Sequence, residues 1–245
     1  DHVIVKLLRN NTESDRRILA AEAPYLEIAR RLGLRVARPL EAHRNAVVIP
    51  RFDREVTPAG VIRHGQESMT SALGVADFGH ATSHEAYLDV IKDVSANPRE
   101  DVIEYVKRDV LNMAMGNPDN HGRNTALQKK ADGTVSLTPL FDFTPMRLDE
   151  EGVVRSTRWE CLQRNELQPN WAVVCEASAE GVMAKKELAR ELLALAPLLR
   201  ELPRIADDAG LDPDTFDRAC GRHAEIAATL DKSLKSCLIH LGDLS

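Results

Sequence analysis

The densest grouping of polar side chains in this 245-residue chain is Asp119, His121, Asn124 and Asp142. Asp119 precedes Asn124 by five positions in the loop Gly116-Asn117-Pro118-Asp119-Asn120-His121-Gly122-Arg123-Asn124. One Asn and one Asp from separate stretches are hard oxygen donors. They suit Mg²⁺, which completes its shell with water and substrate phosphates. A further Asp outside the ligand set can orient a hydroxyl and accept its proton. The order D-x-x-x-x-N and then a metal-binding Asp is the layout used in phosphoryl transfer from ATP. The same residue types also make plain turns, because Asp and Asn side chains hydrogen-bond nearby backbone.

Lys6 is the only charged residue between Val3 and Leu8. A lysine pointing off a strand into a cleft can pair with α/β-phosphates, held by a carboxylate on a helix, for which Glu22 is the candidate. A strand-end lysine can equally snorkel to solvent, and a helical Glu can lie on a solvated face. Arg51-Phe52-Asp53-Arg54 directly follows a second short strand. There, backbone groups can meet an adenine edge, Phe52 can pack beside it, and Asp53 can accept from a ribose hydroxyl. An ordinary strand exit with surface charges would read the same.

The elements that must position these residues follow from pattern. Val3 to Leu8 is short and β-branched, which predicts a strand. Glu13 to Leu32 predicts a helix stopped by Gly33, with Pro24 forcing a kink or a fresh start. Ala46 to Ile49 predicts a strand, and Thr57-Pro58-Ala59-Gly60 a turn. Ser83 to Ser95 and Arg99 to Met115 have helical spacing, the latter with Val102, Ile103, Val106, Val110 and Met113 on one face. Gly116 ends that helix. Asp132-Gly133, between Thr125–Gln128 and Thr134–Leu140, signals a hairpin that delivers Asp142. From Ser178 onward the pattern is mostly helical, most firmly over Lys185 to Leu199 and Pro213 to Leu241. The expected fold is α+β and bilobal. A small strand-bearing lobe over 1–54 carries the lysine and hinge, and a larger, mainly helical lobe over 55–245 carries the loop and metal-binding Asp.

Composition narrows the function class. Lys plus Arg total 32 and Asp plus Glu 38, a net charge of −6. That balance disfavours gripping nucleic acid through bulk charge. Hydrophobic residues make up 43%, enough for a sizeable core. Cys161, Cys175, Cys220 and Cys237 form no CxxC pair and no zinc spacing, so inert thiols in a reducing cytoplasm are expected. No apolar run reaches the roughly 20 residues of a membrane span, and no signal peptide is seen. The chain opens without Met, directly into an apolar run, so a further upstream segment is expected.

The string Gly116 to Asn124 resembles the catalytic loop of the HipA family of toxin kinases. Leu137-Thr138-Pro139-Leu140-Phe141-Asp142 is similar to that family's metal-binding segment, and Arg51-Phe52-Asp53-Arg54 resembles its hinge signature. The Lys6 strand and the helix ending at Gly33 fit in order. The resemblance implies a protein-kinase-like fold and a serine/threonine protein kinase using ATP and Mg²⁺. It implies that Asp119 is catalytic and that Asn124 and Asp142 hold Mg²⁺. Lys6 would contact ATP phosphates, the Pro50 to Phe52 backbone adenine, and Asp53 the ribose. His121 matches the family's loop histidine and reads as an organiser of the nucleotide site rather than a base. A helix-turn-helix antitoxin (HipB-like) is the implied partner, with DNA reached mainly through it. An aminoacyl-tRNA synthetase is an implied type of substrate. Three departures stand out. Pro50 replaces a commonly acidic hinge residue. Ser68 ends a Gln66-Glu67-Ser68 stretch where the family has Asp. The family's phosphate-covering loop, with its regulatory serine, and its N-terminal subdomain lie upstream of Lys6. Two other readings share these residues: a kinase-like module that binds antitoxin and serves in repression, and a small-molecule phosphotransferase.

Overall fold

The computed structural model describes residues 2–77, 81–162 and 168–239. β1 (Val3–Leu7), β2 (Glu41–His43) and β3 (Ala46–Pro50) form an antiparallel sheet in the order β1-β3-β2. Its register sets Lys6 opposite Val47 and Val3 opposite Pro50. Lys6 is the least exposed residue of β1, because its side chain turns into the fold.

α1 (Glu13–Arg31) packs against this sheet. The Thr12 side chain caps it by accepting from Asp15 N–H. Acidic Glu13 and Asp15 open the helix and basic Arg30 and Arg31 close it, each sign complementing the helix dipole. Of the kink or fresh start expected at Pro24, the fresh start does not occur, and the helix runs 19 residues through it. Pro24 costs the donor that Ala20 would have received. Burial of Ala21, Tyr25, Ile28 and Ala29 anchors the helix in the core on both sides of Pro24.

A protruding hairpin, β4 (Arg54–Thr57) and β5 (Gly60–Arg63), turns where Pro58-Ala59 predicts. β6 (Gly65–Ser68) leads to a single helical turn, α2 (Met69–Ala72). The short β7 (Thr82–Ser83) precedes α3 (His84–Val94), which the Ser83 side chain caps. α4 (Pro98–Ala114) is the central helix, with Val102, Val106, Val110, Leu111 and Ala114 buried. β8 (Ala126–Lys129) and β9 (Val135–Leu137) form the predicted hairpin and add to β6, in the order β6-β8-β9. After a 3-10 turn at Met146–Leu148, β10 (Thr157–Arg158) pairs in parallel with β7.

The helical remainder comprises α5 (Trp171–Ala179), α6 (Lys185–Leu193), α7 (Leu195–Arg200), α8 (Leu202–Asp208), α9 (Pro213–Ala219) and α10 (His223–Ile239). Two predicted helices are each divided. Lys185 to Leu199 breaks at Ala194, because Pro197 has no N–H and fits only in the first turn of a new helix. Pro213 to Leu241 breaks across Cys220 to Arg222, where Gly221 disfavours helix by about 1 kcal/mol relative to Ala. Its predicted end at Leu241 lies outside the described residues. One buried cluster extends from α1 through α4 to α10, with Ile226, Ala227, Leu230 and Leu234 facing inward from the last helix. No helix among the described residues is long and apolar enough to cross a membrane.

Candidate active site

Between the small sheet and the segment Leu140–Asp142 that follows β9 lies a cleft of about 480 Å³, lined by Val5, Leu26, Val36, Ile49, Phe52 and Leu140 among others. Lys6, Glu22, Asp53 and Asp142 also face it. Lys6 Nζ stands 3.0 Å from Glu22 Oε2 and 2.6 Å from Asp142 Oδ1. Lys6 and Glu22, paired from sequence, therefore meet, and Asp142, read from sequence as a metal ligand, joins them at the same ammonium. Burial opposes the Lys6 charge, but Asp142 and Glu22 outweigh it and hold the lysine above its ordinary pKa. Glu22 is only 1% exposed. Burial lifts its carboxyl above the ordinary range despite the nearby ammonium.

Asp142 is the one non-glycine with a positive φ, 50°, among the described residues. Asp tolerates this left-handed region better than most residues. The turn sends Phe143 into the core, 5.4 Å from the Tyr25 ring, while Phe141 lies 5.9 Å from Phe52. Asp142 is left half-exposed in the cleft.

The loop after α4 is pinned by its own side chains. Asn117 is buried and its Nδ2 donates to Asn112 Oδ1 at 2.9 Å. Asn117 Oδ1 accepts from Asp119 N–H at 3.2 Å. Asn124 Nδ2 donates to both Asp119 O (3.1 Å) and Asp119 Oδ2 (3.2 Å). His121 Nε2 lies 3.3 Å from Asp119 Oδ1, which fits a loop organiser. Two glycines are required here. Gly116 has φ +65°, and a Cβ there would collide with the Ala219 carbonyl at the end of α9. A Cβ on Gly122 would collide with the Tyr87 hydroxyl and Thr70.

Asp119, Asn124 and Asp142 line a small polar cavity of about 30 Å³. Asn124 turns its amide N–H toward Asp119, so its Oδ1 is the atom left for a cation. With the Asp142 carboxylate this makes a two-oxygen set that fits Mg²⁺. Among the described residues no group of three or more His, Cys, Asp or Glu side chains is arranged for a metal ion.

The hinge is already well bonded. Arg51 N–H donates to His2 O at 2.9 Å and Phe52 O accepts from Gln128 Nε2 at 3.3 Å. Asp53 is buried between two guanidiniums, with Arg51 Nε at 2.7 Å and Arg54 Nη1 at 2.6 Å. The Arg51 hydrogen bond lowers its pKa, against the effect of burial. A ribose hydroxyl would share these oxygens with the arginines.

Sequence reasoning missed a buried polar group beneath the loop. Asp109 of α4 is bonded by Arg155 and by Trp159 Nε1 at 2.9 Å. His84 stacks on Trp159 with centroids 4.4 Å apart and shares a 2.8 Å hydrogen bond with the Tyr105 hydroxyl. On the same helix Asp101, Glu104 and Arg108 are also buried. Their three- and four-residue spacing, falling among the apolar positions, was the available signal.

The model of one protein family, the HipA-like C-terminal domain, matches residues 1–209. A protein of Sinorhizobium fredii (strain NBRC 101917 / NGR234) named "Putative kinase Y4mE" is 33% identical over 131 residues, 49% of this chain and 31% of that relative. The chain thus spans less than a third of that curated relative in the matched region. Among solved structures, HipA of Shewanella oneidensis MR-1, in complex with HipB and operator DNA, superposes with a TM-score of 0.66 at 18% identity. The superposition covers 95% of this chain and 58% of that one. The Helicobacter pylori proinflammatory kinase CtkA gives a TM-score of 0.53 at 13% identity, covering 96% and 88%. The α+β fold expected from sequence is therefore shared with these two solved structures, and by the family match the chain belongs to the HipA-like C-terminal domain family.

Proposed function

We propose that the chain is the phosphotransfer part of an ATP-dependent serine/threonine protein kinase, the toxin of a toxin–antitoxin pair. The observation that carries this reading is the junction of Lys6, Glu22 and Asp142, with Asp119 and Asn124 lining the same small cavity as Asp142. Neither an Asx turn nor a snorkelling lysine requires that convergence. In this reading the cleft takes the nucleotide, with adenine against the Pro50 to Phe52 hinge and Asp53 near the ribose. Lys6 contacts the phosphates while Glu22 retains it. When bound by Asn124 and Asp142, Mg²⁺ would neutralise charge on the transferring phosphoryl group. Asp119 orients the acceptor hydroxyl and takes its proton as the oxygen bonds to the γ-phosphorus and ADP leaves. His121 holds the Asp119 carboxylate in place. The acceptor is a protein serine or threonine, with an aminoacyl-tRNA synthetase as the first substrate to try. The HipA–HipB–DNA complex of Shewanella supports a HipB-like antitoxin as partner, with DNA reached through it.

The test compares thermal unfolding in ATP plus Mg²⁺ with ATP plus EDTA, for wild type and Asp142→Ala. Nucleotide at about 100 times its Kd stabilises the native state by roughly 2.7 kcal/mol. A Mg-dependent shift lost in Asp142→Ala is expected. Asp119→Ala should keep the shift and lose at least about 100-fold in phosphotransfer. Equal turnover by wild type and Asp119→Ala would sink the assignment. A shift without transfer to any protein would favour the binding-module reading.

A further inference from the structure

The strand that follows the candidate metal-binding Asp reaches back to the loop that carries Asp119. Asn120 and Thr157 lie 37 positions apart and share three hydrogen bonds. Asn120 Nδ2 donates to Thr157 O at 2.8 Å, and Thr157 N–H donates to Asn120 Oδ1 at 3.2 Å. One side-chain amide therefore pairs with both backbone groups of one residue, as a neighbouring strand would. The Thr157 hydroxyl then donates to Asn120 O at 2.8 Å. Asn120 N–H donates to Pro118 O at 2.8 Å, so both backbone polar groups of the residue after Asp119 are fixed.

Thr157 is itself held firmly. It is 1% exposed and pairs with Thr82 in the parallel β7–β10 ladder. Two residues later, Trp159 is buried against His84 and bonded to Asp109 of α4. Arg155, two residues earlier, bonds the same carboxylate. Glu160 N–H and Cys161 N–H both donate to the Glu85 carboxylate at 3.0 Å. The segment 155–161 is thus bolted to α3 and α4, and Asn120 ties the Asp119 loop to it.

We infer that Asn120 and Thr157 form a brace that positions Asp119 for phosphotransfer. The inference rests on the kinase reading above, and both are positioning residues: Asn120 lines the small cavity beside Asp119, but its side-chain amide is spent on Thr157. Displacing a reacting group by about 1 Å can cost on the order of 100-fold in rate.

The experiment uses the whole chain as Asn120→Ala, Thr157→Val, the double variant, and Thr157→Ser as the variant that restores the hydroxyl. Amide hydrogen exchange is followed by mass spectrometry, and phosphotransfer is measured as kcat and KM for ATP. We expect exchange to rise about 10-fold or more in 117–124 and 155–161 together in Asn120→Ala. We expect kcat to fall by roughly 10- to 100-fold with KM for ATP unchanged. The double variant should lose little more than the worse single one, because the two residues act as one unit. Thr157→Ser should recover most of the Thr157→Val loss. Unchanged kcat in Asn120→Ala, with an active wild type, overturns the inference. So does exchange rising in only one segment, or a fall in nucleotide affinity and melting temperature that accounts for the lost rate. Coupled exchange in a wild type that transfers no phosphate would uphold the brace and overturn the kinase reading.

Discussion

Lys6, Glu22 and Asp142 set opposing demands on one ammonium. A carboxyl whose pKa is raised by folding adds stability below its ordinary value and loses it as pH climbs through the folded value. Glu22 is such a group, because burial outweighs Lys6. Glu22→Gln, neutral at every pH, should therefore melt higher than wild type at pH 7 without nucleotide. It should also bind Mg·ATP about 10-fold more weakly, the worth of one charge-assisted hydrogen bond. Melting curves and nucleotide titration of the same samples check both halves. His84 behaves oppositely. Burial depresses it from 6.5 to about 4, against the pull of Asp109. Its contribution is complete above pH 6.5 and is lost as pH falls toward 4. With the shift that large, the loss is roughly 3 kcal/mol. Wild type should therefore lose more stability between pH 7 and 4.5 than His84→Gln, as read by urea unfolding at each pH.

At the scale of elements, the loop depends on α3 as much as on α4. Gly122→Ala would push a Cβ into the Tyr87 hydroxyl and Thr70. Such overpacking typically costs about 1–3 kcal/mol and would displace the Asp119 loop. Tyr87→Phe removes one of the clashing oxygens, so the double variant should recover part of the loss. A double-mutant cycle in stability and turnover checks it. The sequence made the hairpin at Asp132-Gly133, the Lys6 strand and the α4 face legible, because each has a local period or a turn residue. Pro24, Ala194 and Gly221 were harder. Whether a helix survives a proline or breaks at a glycine depends on packing far along the chain. The site divided in the same way. Asp119, Asn124 and Asp142 were legible from type and spacing, and Lys6 and Glu22 from their place in order. Asp109, Asn120 and Thr157 were not, since pairing with partners far along the chain leaves no periodic trace. A two-residue ladder such as β7–β10 is equally silent.

Across the whole molecule, a net charge of −6 opposes direct association with DNA. On the toxin–antitoxin reading proposed above, the chain alone should leave operator DNA unretarded in a gel-shift assay near 150 mM salt, and retardation should require the antitoxin. Exposed ion pairs such as Arg30–Glu27 add little to stability, so moderate salt should barely move the melting temperature. The buried cluster sets the stability, and it does not end where the family match ends. The match stops at 209, yet Ala219 lies against Gly116, and α10 contributes Ile226, Leu230 and Leu234 to the common core. The limit of the family-model match is therefore not the limit of the fold, and the superposition on HipA of Shewanella covers 95% of the chain. A piece cut at residue 209 would keep every residue assigned to chemistry. It would also uncover the side of α4 that packs on α10 and remove Ala219 from behind Gly116, so it should aggregate rather than work slowly.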